Sequence, residues 1–88
     1  RIYNVEEIQD MVENEIMAEK LLDIMKKILI PREFDIVKMR FGLQNSAVYT
    51  QIEIANMMNI SRSYVSRIEK KALQKIKDYL IDNQLIIR

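Results

Sequence analysis

Between Ser61 and Lys77 the sequence carries six cationic side chains, Arg62, Arg67, Lys70, Lys71, Lys75 and Lys77, against the single carboxylate of Glu69. An excess of that density is the electrostatic footprint of a polyanion binder, with a plain solvated helix face as the alternative. The chain has no histidine and no cysteine, which removes thiol chemistry, disulfides, the common zinc-ligand sets and the usual general base. Neighbouring carboxylates such as Glu6 and Glu7, or Glu13 and Glu15, are better explained as helix-surface charges. No catalytic residue, metal site or cofactor is therefore assigned, and an enzyme is the weakest reading. The chemistry that remains is recognition. Arginine offers two parallel donors that match guanine O6 and N7, each such contact discriminating by about 1–3 kcal/mol. Arg67 is the first candidate for reading a base edge and Arg62 the second, with a phosphate contact or a solvated charge as the competing role for each.

Those side chains need a rigid element to aim them, and the composition says which kind. A chain of 88 residues, 49% hydrophobic and 31% charged, is one domain at most and suits a compact fold. One glycine, Gly42, and one proline, Pro31, are too few for a many-turned β-sandwich or barrel. The expected fold class is all-α, a small domain of four to five helices. The net charge of +1 averages an acidic stretch, −3 over residues 1–30, with a basic one, +4 over residues 31–88.

Helix boundaries are marked in the residues. Asn4 as N-cap, Glu7 three residues on, and Tyr3 with Ile8 as a staple predict a helix from about Val5. Ile8, Val12 and Ile16 share one face, whereas Met17, Leu21, Ile24, Met25 and Ile28 lie on roughly the opposite one. One straight helix cannot bury both in one core, so either the chain breaks near Asn14 or the first stripe docks outside the domain. Pro31 opens the next helix, about 32–41, and Gly42 ends it. Residues 43–49 read as a connecting loop. Thr50, with Glu53 in the capping-box position, starts a helix over Gln51 to Met58, and Asn59 supplies a left-handed turn. Ser61 caps the last helix, about 62–81, with Val65, Ile68, Ala72, Ile76 and Tyr79 or Leu80 on its inner face. Leu85, Ile86 and Ile87 in the tail extend that helix, pack on the first segment or fray.

The stretch TQIEIANMMNISRSYVSRIEK, residues 50–70, has the spacing of a helix-turn-helix. Ala55 is small where the helices cross, Asn59 follows four residues later at the turn, and Ile54, Met58, Ile60, Val65 and Ile68 join the pair. With Val65, Ile68 and Ala72 inward, Arg62, Ser63, Ser66, Arg67 and Lys70 are left outward and Tyr64 flanks them. Lys70, Lys71 and Gln74 lie where such a helix leaves the major groove and suit phosphates, as do Thr50 and Gln51 at the start of the preceding helix.

PREFDIVKMRFGL, residues 31–43, followed by TQIEIANMMNISRSYVSRIEKKALQKI, residues 50–76, resembles region four of the sigma-70 family, the promoter-recognition subunits of bacterial RNA polymerase. The likeness covers about residues 21–81, and ISRSYVSRIEK is most similar to the mother-cell sporulation branch. It implies that the helix-turn-helix reads the minus-35 promoter element and that the preceding helices cradle the flap-tip helix of the polymerase β subunit. Carried over by position, Arg62, Ser63 and Arg67 fall where the family reads bases. Thr50, Gln51 and Lys71 fall near its phosphate contacts. Ser63 stands where primary sigma factors have glutamate and Arg67 where they have glutamine, departures that imply a different minus-35 sequence. Ile28, Phe34, Val37 and Phe41 form the flap-facing or core surface. Ile30 replaces a capping Thr or Ser, implying a less crisp helix start, and Asn59 replaces glycine. Residues 1–20 match no region-four signature and are assigned as an N-terminal linker segment, with residues 21–88 as the DNA-binding domain.

The partners so implied are double-stranded promoter DNA and the RNA polymerase core, with an anti-sigma factor as a further candidate and no membrane. A dimeric helix-turn-helix regulator, or a protein-interaction module with a merely solvated basic helix, are the competing readings. No apolar run approaches the roughly 18 residues that span a bilayer, and no signal-peptide pattern opens the chain, so a cytoplasmic protein is expected. A start at Arg1 instead of methionine is what a fragment trimmed from something longer would show.

Overall fold

A computed structural model describes residues 15–85. Among these residues it holds four α-helices, no strand and one short 3-10 turn: α1 (Glu15–Ile28), α2 (Pro31–Phe41), the turn (Leu43–Asn45), α3 (Gln51–Met58) and α4 (Arg62–Asp82). The all-α class with a C-terminal helix-turn-helix is what the sequence indicates. The helix start near Val5, the stripe of Ile8 and Val12 and the break near Asn14 lie outside the described residues. So do the tail residues Ile86 and Ile87. The boundary expected between residues 20 and 21 falls inside α1.

Local chemistry explains each helix end. The ring of Pro31 keeps Ile30 extended (φ −71, ψ 158) and needs no hydrogen-bond partner at the first helical position. Ile30 has no side-chain acceptor to offer α2, but the Glu33 carboxylate accepts from the Ile30 N–H at 3.1 Å, so half a capping box starts the helix firmly. Gly42 ends α2 in the left-handed region, at φ 67. A Cβ there would lie 2.9 Å from Val48 Cγ2 and 3.1 Å from the Ser46 carbonyl oxygen, so conformation and space both favour glycine. The connection read as plain loop contains the 3-10 turn, with Gln44 and Asn45 both at positive φ, and its far end is pinned where the Tyr49 N–H donates to the Met39 carbonyl at 2.8 Å.

At Thr50 the capping box is complete: Glu53 N–H donates to the Thr50 hydroxyl at 3.1 Å and Thr50 N–H to the Glu53 carboxylate at 2.9 Å. After α3, Asn59 is left-handed (φ 56) and the Ile60 N–H reaches back to the Ala55 carbonyl at 3.0 Å. Ala55 therefore serves twice, as a small residue at the crossing and as the acceptor that closes the turn. The Ser61 hydroxyl caps α4 by accepting from Tyr64 N–H at 3.1 Å. Its far end closes the same way as α3, with Gln84 left-handed and Leu85 N–H bonded to the Leu80 carbonyl at 2.8 Å. Leu85 thus terminates the helix through its backbone while its side chain stays exposed.

Two apolar clusters share α2 and α4 as common walls. One joins Leu21, Met25 and Leu29 to Val37, Phe41, Leu43 and the distal α4 residues Ala72, Leu73, Ile76 and Leu80. The other joins Ile36, Ile54, Ala55, Val65 and Ile68, and is the glue of the helix-turn-helix. Val37 and Phe41, considered for the flap-facing surface, are 1% and 8% exposed and belong to the first cluster, so that role is withdrawn for both. Ile28 and Phe34 pack at its edge and keep part of their surface.

Candidate nucleic-acid interface

The 21 residues of α4 extend about 31 Å, long enough for one half to be core and the other to project. In its first turns Val65 and Ile68 point into the second cluster, leaving Arg62, Ser63, Arg67, Lys70 and Lys71 exposed and Ser66 half-buried. At about 100° per residue, Leu73, Lys77 and Leu80 fall on nearly the same line as Arg62 and Ser66, yet all three are buried. The open face of the helix therefore closes midway along its length.

This geometry sharpens the charge count. Lys77 is only 8% exposed. The Lys75 ammonium is taken by Glu33, at 2.8 Å. Glu69, the one carboxylate in the stretch, is turned inward onto Arg40 at 2.5 Å. The outward surface of residues 61–71 thus presents four exposed cations, Arg62, Arg67, Lys70 and Lys71, and no exposed carboxylate. A sequence count of +5 becomes +4 concentrated on one short face.

Shallow grooves flank that face. One, about 190 Å³, runs between the start of α2 and α4 and is bordered by Ile30, Arg32, Tyr64, Arg67 and Lys71. Another, about 300 Å³, lies at the start of α3 and is bordered by Arg40, Thr50, Gln51, Ile52 and Arg62. Thr50 is exposed and Gln51 half-buried, and the Gln51 side-chain amide donates to Glu69 at 3.3 Å. Gln74 is likewise committed, donating to Asp78 at 2.8 Å, which leaves Lys70 and Lys71 as the freer polar side chains beyond Arg67. The Ser63 and Ser61 hydroxyls lie 3.2 Å apart. Accepting from the Thr50 backbone N–H, and lying beside its hydroxyl, holds the Glu53 carboxyl below the ordinary glutamate range.

Beneath the interface lies a polar network that residue spacing did not reveal. Arg40 donates through Nε to Glu69 and through a terminal nitrogen to the Tyr49 carbonyl at 3.1 Å, tying α2, the end of the connection and α4 together. Glu33, 1% exposed, joins the start of α2 to Lys75 on α4. Arg40, Glu69 and Glu33 stood in the motif but had no structural partner from sequence. The available signal was a conspicuous one, a charged residue placed on each helix's otherwise apolar side.

A family model described as sigma-70, region 4 matches residues 27–78. The chain is 45% identical over 71 residues to the RNA polymerase sigma-28 factor of Bacillus thuringiensis, covering 81% of this chain and 30% of that one. To the RNA polymerase sigma-K factor of Bacillus subtilis it is 44% identical over 71 residues, covering 81% and 24%. To the RNA polymerase sigma-E factor of Clostridium acetobutylicum it is 40% identical over 70 residues, covering 80% and 29%. The chain thus spans less than a third of the length of these relatives. No solved structure matches it.

Proposed function

Because the chain belongs to the sigma-70 region 4 family, we propose that it is the non-catalytic module with which a sigma factor recognises the minus-35 promoter element and directs bacterial RNA polymerase to it. The observation that carries this reading is the four-cation face of α4, held outward by a helix pair whose inner residues are core. In a helix-turn-helix that face enters the major groove with its leading residues at base edges. Arg67 and Arg62 read bases with Ser63 and Ser66 beside them. Lys70, Lys71, Thr50, Gln51 and Gln74 meet phosphates, the two glutamines after exchanging their present bonds to Glu69 and Asp78.

Ile28 and Phe34, with surface still open at the edge of the first cluster, are the remaining candidates for docking on the polymerase β flap. Docking there fixes the module's distance from other promoter-binding parts of the polymerase and converts modest affinity into strong recognition through effective concentration. Residues 1–14, ahead of α1, serve as a linker, and an anti-sigma factor is a further partner. The likeness to sigma-E, sigma-28 and sigma-K factors supports the mother-cell sporulation branch. No described helix is long and apolar enough to cross a membrane, and a cytoplasmic location accords with the proposed role. The test is titration of a labelled duplex at low and high salt. Salt-dependent binding that prefers one sequence supports the reading, and no salt-dependent binding at all ends it.

A further inference from the structure

We infer that Tyr64 is a positioning residue for Arg67, a stacking platform that aims its guanidinium at a base while leaving every donor free. The inference rests on the promoter-reading role proposed above but concerns how that reading is achieved. The Arg67 guanidinium carbon lies 5.7 Å from the centroid of the Tyr64 ring, one helical turn earlier. Tyr64 is itself fixed at the start of α4, because its backbone N–H is the group capped by Ser61 at 3.1 Å. Tyr64 is 37% exposed and borders the groove together with Ile30, Arg32 and Arg67, so it stands on the recognition face and not in the core.

The kind of contact matters for the chemistry. A carboxylate would orient the arginine equally well but would occupy the same in-plane N–H groups that must meet guanine O6 and N7. A ring holds the guanidinium from its face, through the attraction of a cation for the π system, and leaves the in-plane donors unspent. Among the described residues no carboxylate pairs with Arg67. The neighbouring carboxylate, Glu69, is turned inward to Arg40. Arginine side chains lose substantial rotamer freedom when they dock, so partial ordering before contact lowers that cost and narrows the set of bases Arg67 can reach.

The test uses the chain itself and the duplex that it enriches most strongly from a randomised pool, with a scrambled duplex as control. Tyr64→Phe keeps the ring, whereas Tyr64→Leu keeps apolar bulk and helix-forming tendency without it. The ratio of enriched to scrambled affinity should be unchanged in Tyr64→Leu relative to Tyr64→Phe when both are made in an Arg67→Ala background. With Arg67 present, Tyr64→Leu should lower that ratio about two- to five-fold and Tyr64→Phe should preserve it. Equal loss on both duplexes, or the same loss without Arg67, would overturn the inference. The free protein gives a second readout: the ring-current shift of the Arg67 δ-methylene protons should persist in Tyr64→Phe and vanish in Tyr64→Leu. Absence of that shift in the wild type would also overturn it. Should the wild type prefer no duplex over another, the promoter reading fails, and the proton shifts still decide whether the ring holds the arginine.

Discussion

Two lysines of α4, five residues apart, separate stability from recognition. The Lys75 ammonium neutralises Glu33, whose side chain is 2% exposed. Among the described residues, Lys75→Ala leaves that carboxylate buried with only the Ile30 N–H as partner. The pair is open to water on the lysine side, so the expected loss is about 1–3 kcal/mol, below the full cost of breaking a deeply buried pair. Lys70 is exposed, and Lys70→Ala should change stability by less than about 0.5 kcal/mol while weakening DNA binding. Urea unfolding of the two variants checks the contrast. At Glu53 the depressed carboxyl has a pH consequence. Its stabilising contribution is present above the ordinary glutamate pKa and is lost as pH falls through the lower folded-state value. In an NMR titration Glu53 should show a midpoint below the usual glutamate value, and Thr50→Ala should move it upward.

At the scale of the elements, α3 and the turn that follows it set the angle of α4. Ile54 is fully buried between α2, α3 and α4. Ile54→Ala should cost about 2–5 kcal/mol by calorimetry or denaturant, and DNA binding should fall with the folded fraction. Asn59 adopts a left-handed backbone that β-carbon sterics oppose. Asn59→Gly should therefore be close to neutral, whereas Asn59→Ala should destabilise by about 1 kcal/mol. These elements were legible in the sequence because their determinants are local. Thr50 with Glu53, Asn59, Ser61, Pro31 and Gly42 each act within a few residues of themselves. What covers an apolar face is not local. Val37 and Phe41 share the face of Phe34, yet α1 and the far half of α4 bury the first two and leave Phe34 at the edge. The partners Glu33 and Lys75 lie 42 residues apart and Arg40 and Glu69 lie 29 apart, separations across which periodicity carries no pairing information.

At the scale of the whole molecule, the near-zero net charge is uninformative because its charges are sorted in space. Lys75 and Arg40 are matched by Glu33 and Glu69, and the outward part of α4 is left as an uncompensated cationic face. Binding should consequently weaken with salt, and removing both Lys70 and Lys71 should reduce the slope of log affinity against log salt by up to about 2, roughly 0.9 for each phosphate that is no longer neutralised. That slope reports attraction to any duplex, however, and the central claim is that this face reads sequence. The most direct measurement compares Arg67→Ala with the wild type on the duplex enriched from a randomised pool and on a scrambled one. Base reading by Arg67 predicts that affinity falls about tenfold to a hundredfold on the enriched duplex and changes little on the scrambled one. An equal fall on both would make Arg67 a phosphate contact and contradict base reading by this helix.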